Sequence, residues 1–128
     1  MATKKETKRF LGKEAILAAK DLKTEDVEVP EWGGWVKVGT MTGSQRDLFE
    51  KNMFIENEDG SQERNMHNFR ATLCCMTIRN EQGKQMFKDK VDIENLGEKS
   101  GSALQRVFMV ALRLNGMSKQ DVDDLTKN

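Results

Sequence analysis

Hydrophobic and polar residues alternate on both sides of a break near residue 33. The runs VEV (residues 27–29) and VKV (36–38) flank this break, which reads PEWGGW. A period of two predicts half-buried strands, and the paired glycines Gly33 and Gly34 supply the positive φ angles that a tight turn needs. Pro30 has no amide donor and fits a strand end. The pattern therefore predicts a β-hairpin of strands 24–29 and 35–39, with two tryptophans at its turn.

Three later segments carry apolar residues at every third and fourth position, the spacing of amphipathic helices. The first is capped by Thr42 or Ser44 and is predicted to run to about residue 57. The second covers 65–75. The third covers 101–115, and Gly116 follows it as a C-terminal stop. Two short helices are predicted at 14–21, where Ile16, Leu17 and Ala18 are candidate contacts, and at 91–96.

The remaining segments complete an α+β prediction. Residues 56–65 are polar and aperiodic and predict a surface loop, and residues 76–87 predict a second small hairpin. Residues 118–125 predict a final turn or two that docks back through Val122 and Leu125. Residues 1–12 are charged and predict a flexible N-terminal arm. We therefore expect a single domain over 13–128, with small β-hairpins packed on three to four α-helices.

The composition narrows the classes of function. Among 128 residues, 21 are basic and 21 are acidic, so no net field directs the chain toward nucleic acid or an anionic membrane. The basic start MATKKETKR is not followed by the apolar stretch of a secretory signal. No run approaches the roughly 18 apolar residues of a membrane span. We expect a soluble, intracellular protein without membrane or nucleic-acid partners.

Candidate chemistry is sparse. His67 precedes Cys74 and Cys75 by two helical turns, about 10 Å, which is too far for ligands of one ion. Structural zinc also needs four ligands, and adjacent cysteines do not form an ordinary disulfide. The thiols are late in a predicted helix, where the dipole disfavours a thiolate. No phosphate-binding glycine pattern occurs. We expect no metal, no cofactor, no catalytic residues and no enzyme activity.

One alternative is a small DNA-binding or regulatory helix-turn-helix protein. Helices 101–115 and 118–126 would be joined by a short turn at 115–117. The second of them, however, carries three aspartates where a recognition helix needs basic or amide side chains. Acidic residues there repel phosphate, so this alternative is the weaker one.

Large apolar side chains remain as candidates for partner contact. The two tryptophans either cover the core or anchor an interface, and the eight methionines suit both uses. The hypothesised partner-binding residues are Trp32, Trp35, Leu48, Phe49 and Phe54.

Two long phrases of the chain resemble a known family. ILAAKDLKTEDVEVPEWGGWVKVGTMTGSQRDLFE (16–50) and RNEQGKQMFKDKVDIENLGEKSGSALQRVFMVALRLNGMS (79–118) are similar, in this order, to the tail assembly chaperones of long-tailed bacteriophages. The resemblance covers the chain from about residue 12. Trp35 departs from the family pattern, in which aliphatic or small polar residues are commoner, so the resemblance assigns it no shared role.

The resemblance implies a chaperone without enzymatic activity. Such proteins bind the tape measure protein in the bacterial host cytoplasm, associate with copies of themselves, and are absent from the mature virion. They are made in two forms, the longer by a programmed ribosomal frameshift, and the longer form recruits the tail tube protein. The final Lys127-Asn128 is compatible with an A-rich slippery run, which the nucleotide sequence of the gene would test.

Overall fold

The structure, a computed structural model, describes residues 7–117 and has the α+β fold that the sequence predicts. Its helices are α1 (Lys13–Ala18), α2 (Gly43–Lys51), α3 (Phe69–Thr77), α4 (Lys90–Gly97) and α5 (Gly101–Leu114). Its strands are β1 (Thr24–Val29), β2 (Gly34–Gly39), β3 (Phe54–Glu56), β4 (Gln62–Arg64) and β5 (Ile78–Arg79). Among these residues, no helix is long and apolar enough to cross a membrane.

The predicted hairpin is confirmed. Strands β1 and β2 pair antiparallel along their whole length, and β5 adds to the other edge of β2 to give the order β1-β2-β5. A single turn of 3-10 helix over Pro30–Trp32 connects β1 to β2. Of the two glycines in this turn, only Gly33 has a positive φ, 72°, so the expectation that Gly34 shares it is wrong.

The core lies between this sheet and the longest helix. Helix α5 buries the face that the sequence predicts and packs it against β1, β2 and α3. Helix α3 runs through the centre, where almost every one of its residues is buried. Two ion pairs between exposed side chains, Arg106 with Glu31 and Arg113 with Glu25, join α5 to the first hairpin. The core side of α5 consists of Ala103, Leu104, Val107, Phe108, Ala111 and Leu112.

The predicted end of the helix at residue 57 is wrong, and the predicted loop at 56–65 is wrong except for the turn at 57–61. Helix α2 ends at Lys51, and residues 54–56 form strand β3, which pairs with β4 at 62–64. The turn between them depends on Gly60, whose φ is 86°, and on Asp59, whose carboxylate accepts hydrogen bonds from the amide and hydroxyl of Ser61. These local bonds favour a reversal of the chain where apolar spacing suggested a continued helix.

Helix α1 is present but does not make the predicted contacts. Its six residues are all exposed, so Ile16, Leu17 and Ala18 do not pack on the core. Residues 7–12 before it are also exposed and carry no regular structure. The prediction that these three residues are core contacts is therefore wrong.

The second half follows the prediction more closely. Residues 80–83 form the expected turn, but β5 has only two residues and pairs mainly with β2, with one bridge from Arg79 to Gln85. Helix α4 begins at a cap from Asp89, whose carboxylate accepts from the Asp92 amide. The predicted turns at 118–125, the second helix of the helix-turn-helix alternative and the first half of the predicted arm (1–6) lie outside the described residues.

The cap of α2 gives a test of which residue begins that helix. The Thr42 hydroxyl accepts from the Gln45 amide at 3.1 Å, and the Gln45 side chain accepts from the Thr42 amide at 2.9 Å. Replacing Thr42 with alanine is expected to lower the free energy of unfolding by about 1 kcal/mol, measured by urea denaturation. Ser44, the other predicted cap, is an exposed residue inside the first turn. Equal losses from Thr42→Ala and Ser44→Ala would contradict this assignment.

Candidate protein-binding site

Both tryptophans of the first hairpin line one open groove, which we name the tryptophan groove. It encloses about 580 Å³ between the turn of the hairpin, strand β5 and the segment that follows β5. Its apolar walls bring together side chains that are far apart in the sequence: Trp32, Trp35, Val36, Met86, Phe87 and Leu96.

The two tryptophans occupy different environments. Trp32 is half-buried and packs on the core from the 3-10 turn, which the amide of Gly33 closes by donating to the Pro30 carbonyl. Trp35 is 67% exposed. Val36, the next residue of β2, packs against the core, so the alternation of the strand turns Trp35 outward, opposite Glu28 of β1. Trp32 therefore supports the groove, and Trp35 is its accessible apolar side chain.

The backbone of Trp35 also faces an open sheet edge. The Thr40 amide donates to the Lys23 carbonyl of the β1 side, and backbone groups alternate between the two edges of a strand. The amide and carbonyl of Lys37 and Trp35 therefore point away from β1. Lys37 is paired with Arg79, the last residue of β5. Trp35 has no ladder partner on that side among residues 7–117, which leaves one donor and one acceptor beside the groove.

Sequence reasoning missed Arg79, whose buried side chain fixes the floor of this region. Its guanidinium donates to the Met76 carbonyl at 2.7 Å, the Thr40 carbonyl at 3.1 Å and the Gln45 side chain at 3.4 Å. Burial lowers the pKa of this group, but an arginine stays charged at neutral pH. The arginine thereby ties β5 to the end of β2 and to α2. A lone arginine in a polar stretch gives no periodic signal by which the sequence could reveal it.

The charged rim of the groove is mixed. Lys37 donates to Asp26 at 2.7 Å across the hairpin, so the positive and negative charges of this ion pair balance each other. Glu28 and Glu81 lie exposed nearby on the hairpin and on the turn after β5. A partner with apolar side chains and a few basic ones would therefore match this rim.

The three other hypothesised partner residues do not reach this groove. Leu48 and Phe54 are exposed on α2 and β3 and belong to a separate surface. Phe49 is 0% exposed, and its ring packs 5.6 Å from that of Phe69. The hypothesis of partner contact is wrong for Phe49, because the side of α2 that faces α3 is the side that carries this ring.

A second apolar groove, of about 840 Å³, lies between α3 and α5. Met66 and Met109 are exposed at its rim, while Phe69 and Phe108 form its buried floor. Arg70 extends over the ring of Phe108, with its guanidinium carbon 5.6 Å from the centroid. The methionines thus divide between the two uses that the sequence left open, since others, such as Met53, are in the core.

The cysteines are core residues. Burial raises the pKa of the Cys74 thiol to about 12 and that of the Cys75 thiol to about 11. Both thiols are therefore protonated at neutral pH, and the Cys74 thiol donates a weak hydrogen bond to the Leu104 carbonyl at 3.8 Å. His67 lies exposed before α3. Within residues 7–117, no three histidine, cysteine or acidic side chains are grouped so as to hold a metal ion.

Comparison of the chain with protein-family models, with curated proteins and with solved structures gives no match in any of the three.

Proposed function

We propose that this protein is a tail assembly chaperone of a long-tailed bacteriophage, which binds the tape measure protein through the tryptophan groove. The two sequence phrases at 16–50 and 79–118 support the family, and the groove supports a binding role. The observation that carries the binding role is Trp35, a large aromatic side chain that is exposed beside an unpaired strand edge and to which the resemblance assigns no role.

The physical properties of the groove suit a client that must later be released. Removing roughly 150–250 Å² of an aromatic side chain from water is worth about 4–6 kcal/mol before the costs of ordering and association. The free amide and carbonyl of Trp35 would add hydrogen bonds to an extended client segment. One anchor with a few backbone bonds gives a reversible contact, as a chaperone needs.

The finer parts of the proposal follow from the resemblance. The protein acts in the cytoplasm of the bacterial host and is absent from the mature virion. It associates with copies of itself, and a longer frameshifted form recruits the tail tube protein. No catalytic step, metal or cofactor is part of this function.

Coexpression with the tape measure protein of the same phage, followed by nuclease treatment and pull-down, tests the function. We expect the client to copurify with the wild type. Trp35→Ala is expected to reduce the recovered client about 30-fold, since loss of a central aromatic anchor typically costs about 2 kcal/mol or more. Val91→Ala is the control, because Val91 is an apolar residue on α4 that is 61% exposed and lies outside the groove.

The outcomes separate the function from the site. A wild type that captures no tape measure protein contradicts the proposed function. Capture that Trp35→Ala and Val91→Ala leave equally intact contradicts the tryptophan groove as the client site. Both variants are expected to unfold at the wild-type temperature, because each removes an exposed side chain.

A further inference from the structure

Residues 7–23 comprise the described part of the predicted arm, helix α1 and the link to β1; from this point we call this whole segment the arm. It carries apolar side chains that nothing in the described part of the chain covers. Leu17 is 75% exposed, and α1 has no buried residue. The hydrogen bonds between Lys23 and Thr40 attach the arm to the sheet only at its base. A helix of six residues is marginal in water by itself, so its stability requires a surface to pack on. The uncovered apolar residues of the arm are Phe10, Leu11, Ile16, Leu17 and Leu22.

A second set of uncovered apolar residues lies on the last turns of α2 and on the hairpin β3–β4; we name the exposed residues of the range 47–64 the acidic hairpin surface. Leu48 of α2 is 51% exposed, and the adjacent β3 residues Phe54 and Ile55 are 39% and 47% exposed. Strands β3 and β4 form a separate two-stranded sheet, which is marginally stable without further packing. Packing against another surface would therefore stabilise these exposed residues and this small sheet.

The charges of the two segments are complementary. The arm has a net charge of +3, with five basic and two acidic residues, whereas the acidic hairpin surface has a net charge of −4, with two basic and six acidic residues. The methionine-lined groove between α3 and α5 is a poorer receptor for the arm, because Arg70 and Lys99 make its rim basic. The tryptophan groove also has exposed acidic residues, but its rim is mixed, because Lys37 is paired with Asp26 and Arg79 lies among its lining residues. The acidic hairpin surface carries the larger net negative charge, so charge favours it as the receptor for the arm.

We propose that the arm of one copy docks on the acidic hairpin surface of a second copy, an inference that rests on the self-association in the proposed function and names the surfaces that produce it. Within one chain both surfaces stay open, since Leu17, Leu48 and Ile55 are all exposed. The partner is therefore another copy. The two surfaces differ, so the contact is heterologous and joins copies head to tail, each with its tryptophan groove free for the client.

Sedimentation velocity on the purified full-length chain, without client, tests the docking. The wild type is expected to associate as its concentration rises, and less so in about 0.5 M salt because the attraction between the two segments is screened. An arm variant, Ile16→Gln/Leu17→Gln, and a surface variant, Leu48→Gln/Ile55→Gln, are each expected to stay monomeric. Val91→Gln, on α4, is the matched control and is expected to associate like the wild type.

Mixing the two monomeric variants gives the sharpest result. The surface variant retains an intact arm and the arm variant retains an intact surface, so a mixture is expected to form one-to-one dimers and nothing larger. A mixture that stays monomeric contradicts the proposal. So does a surface variant that associates like the wild type, because this would indicate contact between two arms. A wild type that is monomeric at every concentration would place the arm on its own chain and would also contradict it.

Failure of this inference is distinguishable from failure of the proposed function. A monomeric wild type that still captures the tape measure protein contradicts the docking alone. An associating chain that captures no client contradicts the chaperone role alone. Circular dichroism of every variant is expected to match the wild type, because all the replaced side chains are exposed.

Discussion

Replacing Phe49 with alanine is expected to lower the free energy of unfolding by about 3–5 kcal/mol, the usual cost of deleting a buried phenylalanine ring. The ring is fully buried and packs 5.6 Å from that of Phe69, which in turn packs 5.5 Å from Phe108. This chain of three rings connects α2 to α3 and α3 to α5. Removing its first member leaves a cavity at the junction of three helices, which the surrounding backbone can fill only in part.

Urea denaturation of Phe49→Ala and of Leu48→Ala measures this difference on adjacent residues. Leu48 is exposed, so its replacement is expected to change the free energy of unfolding by no more than about 0.5 kcal/mol. If the two variants lost similar amounts of unfolding free energy, the burial of Phe49 in the core would be contradicted. If Phe49→Ala were as stable as the wild type but failed to capture the client, the hypothesis of a partner contact at Phe49 would be restored.

The neighbouring residues Leu48 and Phe49 show which feature of a helix its sequence pattern does not predict. The apolar spacing correctly predicted a helix here, and one of the two predicted caps, Thr42, is the residue that begins it. Neighbouring residues on a helix differ in direction by about 100°, and both belonged to the broad apolar stripe. Which of the two faces the core depends on where α3 and α5 pack in the tertiary structure. The sequence therefore predicts that both residues belong to the apolar stripe, but it does not predict which one is buried and which one is exposed.

The first hairpin was predictable because its signals are local. Alternating valines and a glycine turn lie within 16 residues, and the strand alternation also implies that Trp35 and its neighbours point to opposite faces. Strands β3 and β4 were not predictable in this way, because three residues are too few to show a period. The far wall of the tryptophan groove, at Met86 and Phe87, was missed for another reason. It reaches Trp35 only because β5 joins the sheet beside β2.

Replacing Gly39 with alanine is expected to lower the free energy of unfolding by about 1–3 kcal/mol through a contact that only the fold creates. A Cβ atom at Gly39 would lie 2.9 Å from Nε and 3.1 Å from Cγ of Arg79. A long side chain could ordinarily move aside, but this one is held by the carbonyls of Met76 and Thr40 and by the side chain of Gln45. Moving it breaks hydrogen bonds and leaves buried carbonyls without donors.

Gly34 is the matched control for this prediction, because it lies on the same strand, has no positive φ, and has no atom within 4 Å of the place that a Cβ would occupy. Gly34→Ala is expected to leave the free energy of unfolding unchanged or to raise it by up to about 1 kcal/mol, since alanine restricts the unfolded chain. In the background of Arg79→Ala, the cost of Gly39→Ala should largely disappear, and urea denaturation of the four proteins of this cycle measures the coupling. A cost of Gly39→Ala that persists without the arginine side chain would show that the glycine serves the strand backbone instead. The expected coupling would mean that the absent side chain at residue 39 provides the space in which Arg79 holds β5 against β2 and keeps the tryptophan groove in shape.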